Sequence, residues 1–433
     1  MDVLLVGSGG REHALAWALR RSDRLGKLRI APGNAGMARE GELLDIGADE
    51  VDRLVEHARS ERYDLVVVGP EAPLVAGLAD RLREIGVAVF GPSSRAAELE
   101  GSKVFAKRFM TRHGIPTADY EVFEDLQAAT AYLEDPTRTY PLVIKADGLA
   151  AGKGVLIIDD SATAVEAVAG MLEGRSFGEA GRRVLVEECL VGREASFFVL
   201  ADGNAFVELA TCQDYKRALD GDEGSNTGGM GTYSPSVFLD TDTRRTIVES
   251  IVRPTIAGMA SDERPYHGVL YVGVMLTDSG PKVLEYNARF GDPETQVLMP
   301  RLDGDWLELL HACATGSLAG RRLSWRDEAA VCVAMTSGGY PGSYSKGMPI
   351  DGIDVAEQMA DVVVFHAGTS RDVSGRLLTA GGRVLGVTAL GRDLAAARDR
   401  AYGAVGAIRW KGEHHRSDIA DDAVRRLARD RTE

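Results

Sequence analysis

The stretch VLEYNARFGDPETQ, residues 283–296, sets carboxylates, amides and an arginine at close spacing. Residues two apart in a strand share a face, so Glu285, Asn287 and Arg289 are expected to point one way and Leu284, Tyr286 and Ala288 the other. A carboxylate beside an amide oxygen suits a hard cation such as Mg²⁺, which keeps several waters and is usually shared with nucleotide phosphates. Arg289 next to them is suited to clamp a carboxylate or a phosphate. A solvated strand face with an internal Glu285–Arg289 ion pair is the plainer reading. It leaves Asp292, Glu294 and Gln296, gathered just beyond the strand, without a purpose.

A second constellation is the loop Asp147-Gly148-Leu149-Ala150-Ala151-Gly152-Lys153-Gly154, between the strand-like runs YPLVIKAD and GVLIID. It is not a Walker A loop, which needs four residues between its glycines, Ser or Thr after the lysine, and a helix to follow. Strand, glycine loop and strand instead predict a hairpin flap whose backbone can close over phosphates, with Lys145 ending the first strand and Lys153 at the tip. Lysine is scarce in this chain, 9 residues against 41 arginines, and five of the nine (Lys103, Lys107, Lys145, Lys153 and Lys216) lie between residues 100 and 220. A compact ammonium suits a site that sets a point charge beside phosphate oxygens, which favours phosphate binding over a plain glycine-rich hairpin.

These groups need a scaffold to position them. Over the first hundred residues VLLV, KLRI, LVVVG and VAVFG read as buried strands separated by helical stretches, the pattern of a doubly wound parallel sheet. Ligands in such sheets sit beyond the carboxyl ends of the strands, where Gly7, Gly69 and the segment GPEAPL fall. The opening LLVGSGGREHALAWAL lacks the third glycine of a dinucleotide fingerprint, having Glu12 there, and KLRI runs into Ala31-Pro32-Gly33-Asn34 rather than an acidic ribose ligand. A phosphate held by backbone N–H groups and Arg11, and a bare strand-to-helix turn, are both open from that stretch alone. Glu71 in GPEAPL fits either a substrate contact or a helix-dipole partner. From about residue 115 strands dominate, with one helix-like run over Ala162–Leu172, and the last hundred residues alternate strands with the helix AAARDRAYGAVGAI. Packing rather than catalysis is expected of that last region, and His366 and Tyr340 are left outside the site.

Composition bounds the rest. The chain has 433 residues, 45% of them hydrophobic and 27% charged, enough for two to four packed domains. A net charge of -15 argues against a nucleic-acid binder, which needs a basic face. No apolar run is long enough for a bilayer and no leader pattern is visible, so a cytoplasmic protein without membrane partners is expected. Cys189, Cys212, Cys313 and Cys332 have no paired ligand spacing and read as buried thiols.

The segments GREHALAW, APGNAG, GPEAPL, LEGSK, IKADGLAAGKGV, NTGGMG, RFGDPETQ and GGRVL follow one another in this order. Together they resemble the phosphoribosylamine–glycine ligases, or glycinamide ribonucleotide synthetases, over nearly the whole chain. The resemblance implies an α/β architecture of three parts: an N-terminal doubly wound substrate-binding domain (1–102), an ATP-grasp domain (103–325) with a mobile lid subdomain over about 123–192, and a small C-terminal domain (326–433). It also implies the second step of de novo purine synthesis. Glycine is joined to 5-phospho-D-ribosylamine, ATP becomes ADP and phosphate, and glycyl phosphate is the intermediate. ATP is thus the co-substrate, with Mg²⁺ or Mn²⁺, in a monofunctional enzyme expected as a monomer.

Carried over by matching positions, the resemblance makes Lys107, Lys145 and Lys153 phosphate-facing lysines, with Gly148, Gly152 and Gly154 in the lid loop. The run Glu187, Glu188, Cys189 and Leu190 becomes the hinge whose backbone binds adenine, Glu194 the ribose ligand, and Glu285 with Asn287 the metal pair. Lys145, Lys153 and Arg289 take the catalytic roles. Gly9, Gly10, Arg11 and Glu71 fall to the phosphorylated sugar, and Asp214, Lys216, Arg217, Gly229 and Arg289 to the acceptor side. Two departures stand out. The family's QDHKR is QDYKR here, so Tyr215 cannot inherit a role of that imidazole. Many ATP-grasp relatives carry a second metal-binding acid about a dozen residues before the first, where this chain reads LYVGVML, so a second Mg²⁺ would need phosphates, water or Asn287.

Three rivals are distinguishable. A dehydrogenase would need the complete dinucleotide fingerprint. A ligase of the same superfamily with another acid or amine would differ in the GREHA and GPEAPL regions. A non-catalytic nucleotide sensor could dispense with Glu285, Asn287 or Arg289, all of which are present.

Overall fold

The computed structural model describes residues 1–149, 154–174 and 178–430. The chain begins with a parallel sheet of five strands in the order β3-β2-β1-β4-β5, where β1 is Val3–Gly7, β2 Leu28–Pro32, β3 Glu42–Leu43, β4 Leu65–Val68 and β5 Ala88–Phe90. The apolar runs of β1 and β4 are buried throughout because helices cover both faces of the sheet. The short edge strand β3 has both side chains exposed, so no hydrophobic pattern announces it.

Glu12 explains the broken glycine fingerprint. Helix α1, Gly10–Leu19, starts directly after β1, and the Glu12 carboxylate turns back to accept the Gly9 N–H at 2.6 Å, satisfying one of the orphan donors of the helix start. Only 2% exposed, Glu12 fills the space between the ends of β1 and β4 that Gly7 and Gly69 leave open. A Cβ at Gly69 would lie 2.1 Å from Glu12 Oε1. We therefore expect Gly69→Ala to expel Glu12 and lower unfolding stability by ~1–3 kcal/mol, as overpacking does. Urea denaturation of the variant would check this, and unchanged stability would mean the Glu12 side chain relocates freely.

A four-stranded antiparallel sheet follows in the order β6-β9-β7-β8, with β6 Tyr120–Phe123, β7 Leu142–Ala146, β8 Val155–Ile158 and β9 Val184–Glu188. Helices Leu126–Leu133 and Ser161–Leu172 cover one face through a small core that includes Ile144, Val168 and Val186. As the glycine loop predicts, β7 and β8 form a hairpin, with Lys145 opposite Val155. Gly152 and Lys153 lie outside the described residues.

The central sheet is antiparallel and runs Phe206–Glu208, Arg193–Asp202, His267–Thr277, Gly280–Asn287. The expected alternation holds with one correction. The pairing of Gly273 with Glu285 and of Val274 with Val283 leaves Leu284 as the extra residue of a β-bulge. Leu284 is therefore not turned to the apolar side, and it faces the same cavity as Glu285.

The last sheet crosses the sequence. Its strands Ala329–Ser337, Arg383–Gly391, Val362–His366 and Glu413–His414 come from the C-terminal third, but it also takes Gln213–Asp214 and Gly231–Ser234 from the middle of the chain. Gly231–Ser234 pairs antiparallel with Ala330–Val333, which brings the loop before it against the C-terminal strands. Among the described residues no helix is long and apolar enough to cross a membrane.

Candidate active site

A cavity of about 500 Å³ opens where the parallel sheet, the lid sheet and the central sheet meet. Its lysines come from two directions. Ser102 caps the helix Lys103–Arg112 by accepting the Phe105 N–H, and that helix carries Lys103 and Lys107 inward, while β7 delivers Lys145. Between them stands Glu187, 3% exposed, with its carboxylate 3.0 Å from Lys107 Nζ and 2.9 Å from Lys145 Nζ. Lys145 also donates to the Leu284 carbonyl at 3.3 Å, so the bulge supplies a contact that regular pairing would direct elsewhere. Burial lowers the pKa of Lys107 to about 8 against the pull of Glu187, and burial lowers that of Lys103 as well.

The Glu187 side chain is thus an ion-pair partner of the lysines, leaving only its backbone for a hinge role. Glu188 also lines the cavity, its Oε1 accepting from Lys282 at 2.9 Å. Cys189 and Leu190 line the cavity beside it.

Opposite the lysines, Glu285 and Asn287 face the cavity from the strand Gly280–Asn287. Burial opposes the Glu285 charge, but Lys216, Lys145, Lys103 and Arg289 together hold its pKa below the ordinary value. Lys216 lies 3.7 Å from Glu285 and 3.1 Å from Glu194, and those acids raise its pKa despite burial. The Glu285–Arg289 pair considered from sequence does not form. Arg289 reaches Glu71 at 3.2 Å and Glu100 at 2.9 Å instead, linking the central sheet to the first domain. Burial raises Glu100 to about 7 even so, whereas Glu71 is held low, its burial outweighed by Arg289 and Arg11.

Arg11 lines the same end of the cavity and donates to the Phe290 carbonyl at 3.2 Å. Gly9 and Gly10 stand one layer behind the wall, where a Cβ on either would lie 3.5 Å from an Asp292 carboxylate oxygen. Asp214 lines the cavity, and burial together with the nearby Glu294 pushes its carboxyl well above the usual range. Gly229, at φ +116°, packs so closely that a Cβ would lie 2.4 Å from Pro293 and 2.8 Å from Asp214. Arg217 is not brought to the cavity wall. It belongs to the hairpin Arg217–Leu219 with Glu223–Asn226, and its guanidinium donates to the Gly224 carbonyl at 2.8 Å.

Tyr215 also faces away from the cavity. The strand Gln213–Asp214 runs on as extended chain, so with Asp214 and Lys216 inward Tyr215 is carried outward, where its hydroxyl donates to Asp422 at 2.5 Å and accepts the Ala420 N–H at 3.0 Å.

The expectation that the C-terminal region only packs needs correction. Arg383, at the start of its strand, donates to the Gly228 and Asp292 carbonyls at 2.6 Å and pairs with the Asp292 carboxylate at 3.1 Å, at the cavity wall. Sequence reasoning passed over Arg383, Glu100 and Lys103 as site residues, although each sits in one of the quoted segments GGRVL and LEGSK. His366 does remain outside the cavity: its N–H donates to His13 Nδ1 at 2.7 Å and its carbonyl accepts from Asn34 at 2.8 Å. The histidine of GREH and the asparagine of APGN therefore join the first and last domains.

A lysine-bearing lid hairpin over an antiparallel sheet that presents a carboxylate and an amide defines an ATP-grasp ligase, and the ATP-grasp (A) domain of phosphoribosylglycinamide synthetase matches residues 101–295. The N domain of the same enzyme matches residues 1–100 and its C domain residues 330–422. The chain belongs to the phosphoribosylglycinamide synthetase family, the phosphoribosylamine–glycine ligases of the second step of purine biosynthesis. It is 53% identical over 420 residues to the phosphoribosylamine–glycine ligase of Caulobacter vibrioides, covering 97% of each chain. With the Salmonella typhi ligase it shares 48% over 429 residues, 98% of this chain and 99% of the other. The crystal structure of the Thermotoga maritima ligase superposes with a TM-score of 0.86 at 34% identity, over 97% of this chain and 100% of that one. A biotin carboxylase domain from Hydrogenobacter thermophilus shares the fold at 17% identity, with a TM-score of 0.71 over 95% of this chain and 91% of that one.

Proposed function

We propose that this ligase activates glycine as glycyl phosphate and passes the acyl group to 5-phospho-D-ribosylamine, the lysines and the Glu285 face serving the first step and the first-domain end of the cavity the second. The observation that carries the reading is the facing of Lys103, Lys107 and Lys145 across one cavity toward ionised Glu285 and Asn287, with Arg289 beside them. Two oxygen donors on one strand fit a hard divalent cation that takes its remaining ligands from phosphates and water. Among the described residues no cluster of three or more His, Cys, Asp or Glu offers an all-protein cage. Glu285 and Asn287 would hold Mg²⁺ or Mn²⁺, and when bound the ion neutralises charge on the phosphates.

The protein's own groups do the rest. A glycine carboxylate oxygen forms a bond to the γ-phosphorus as the bond to the β–γ bridging oxygen breaks and ADP leaves. Lys107 and Lys145 offset the repulsion between these two anions, joined by Lys153 from the lid loop. The ribosylamine nitrogen then attacks the acyl carbon and phosphate departs. Arg11 and Glu71 hold the sugar phosphate and amine at the first-domain end, and Arg289 orients the acyl group. Glu194 takes the ribose of ATP, and the backbone from Glu187 to Leu190 takes adenine. Closure of the lid keeps water from the acyl phosphate. The domain limits at 102 and 325, a monomer and a cytoplasmic location go with this reading.

The test supplies glycine labelled with ¹⁸O in its carboxylate, Mg²⁺-ATP and ribosylamine phosphate generated in place, and omits each in turn. ADP formation that needs all three, with ¹⁸O in the released phosphate, is the expected result. ADP formation independent of glycine or of the amine would overturn the named substrates, and unlabelled phosphate would overturn the acyl-phosphate route.

A further inference from the structure

The contact made by Tyr215, the residue that departs from the QDHKR pattern, reaches further than its own packing. Asp422 lies in the C-terminal helix Asp421–Asp430 and uses both carboxylate oxygens: Oδ1 accepts from the Tyr215 hydroxyl at 2.5 Å and Oδ2 from Arg193 at 2.8 Å. Each partner immediately precedes a cavity residue. Arg193 precedes Glu194, and Tyr215 precedes Lys216. Because neighbours in extended chain point to opposite sides, Arg193 and Tyr215 meet Asp422 outside the cavity while Glu194 and Lys216 meet each other inside it, at 3.1 Å.

We propose that Asp422 is a positioning residue for the nucleotide-binding wall: by gripping Arg193 and Tyr215 from outside, it fixes the separation of the two segments that present Glu194 and Lys216. The grip is reinforced where Ala420, two residues before Asp422, donates its N–H to the same tyrosine hydroxyl at 3.0 Å, and where the Arg416 guanidinium lies 5.0 Å from the Tyr215 ring. Glu194 and Lys216 are enclosed by the cavity walls but open to the water that fills it, so their pair is weak by itself and depends on the backbones beneath it being held; outside, the Arg193–Asp422 pair is as exposed, and the buried Tyr215 carries most of the hold. The tyrosine suits the task because its hydroxyl is both a donor to the carboxylate and an acceptor for the backbone. The inference rests on the reading that Glu194 faces the nucleotide.

The test compares four full-length variants by steady-state kinetics and by calorimetric binding of a non-hydrolysable ATP analogue. Glu194→Ala checks the underlying reading and is expected to raise KM for ATP. Asp422→Ala is expected to raise KM for ATP and the analogue's Kd by about tenfold while kcat at saturation stays within about twofold, the pattern of lost ground-state binding. Tyr215→Phe keeps the ring and removes only the hydroxyl, so it folds where a larger change fails, and it should move both constants the same way by a smaller factor. Asp421→Asn removes the neighbouring pair of the same helix with Arg398, 2.5 Å apart, and should leave both constants unchanged. If Glu194→Ala raises KM and neither Asp422→Ala nor Tyr215→Phe does, or if Asp421→Asn raises it equally, Asp422 only holds the helix in place and the inference fails. If Glu194→Ala itself leaves KM unchanged, the assignment of that wall to the nucleotide falls, and the inference with it.

Discussion

Lys145→Ala is expected to lower kcat by about 10²–10³-fold, the usual cost of removing one positioned group that stabilises transition-state charge. The variant also disturbs the ground state, because Glu187 is 3% exposed and would keep Lys107 at 3.0 Å as its remaining lysine partner. Breaking a buried pair from one side costs ~3–5 kcal/mol where no partner remains, but here Lys107 still compensates Glu187, so the folded state should lose less than that. Thermal denaturation beside the kinetics separates lost structure from lost chemistry: a melting temperature near the parent's with kcat still low is the expected result. If the variant kept the parent's kcat, Lys145 would serve the architecture of the cavity rather than the chemistry.

Glu285→Ala is the second large effect, with a different signature. The carboxylate sits amid Lys216, Lys145, Lys103 and Arg289, so its removal leaves the cavity more positive and an anionic nucleotide should still bind. Turnover should nevertheless fall by about 10³-fold, since the charge on the transferring phosphoryl group would lose the divalent ion that Glu285 is assigned to hold. Calorimetry with ATP alone, Mn²⁺ alone and the two together would resolve this. Retained ATP binding with weakened ion binding is expected, and unimpaired turnover in the variant would remove Glu285 from the metal site. The folded state should be little disturbed, because the strand keeps Val283 and Tyr286 in the core.

The sequence made some of this readable, for identifiable physical reasons. Strands β1 and β4 are buried on both faces and so appear as unbroken apolar runs, and β2 and β5 are legible although Arg29 interrupts the first and the second is only three residues long, while β3 has neither side chain buried and left no trace. The period of two placed Glu285 and Asn287 together, but a bulge is a one-residue irregularity that no period reports, and it returned Leu284 to the cavity and its carbonyl to Lys145. Scarcity of lysine drew attention to Lys107, Lys145 and Lys216, all of which line the cavity. Abundance of arginine had the reverse effect on Arg383, one of 41. Its contacts with Gly228 and Asp292 are 155 and 91 residues away along the chain, and only the folded sheet brings them together. Glu100 was hidden in the same way, because its partners Arg289 and the Ala288 N–H, the latter 188 residues on, reach it only in the folded chain.

The sheet that borrows Gln213–Asp214 and Gly231–Ser234 also bears on how the chain comes into being. On a ribosome the middle third emerges well before Ala329–Ser337, so Gly231–Ser234 must wait nearly a hundred residues of synthesis for the strand it pairs with. Contacts of such long sequence separation form late, and until they form an open strand edge is a template for the wrong partner. The nascent protein is thus most vulnerable between the completion of its nucleotide-binding half and the arrival of its last sheet. The loop that carries Gly228 and Gly229 acquires its final shape only when Arg383 has been made.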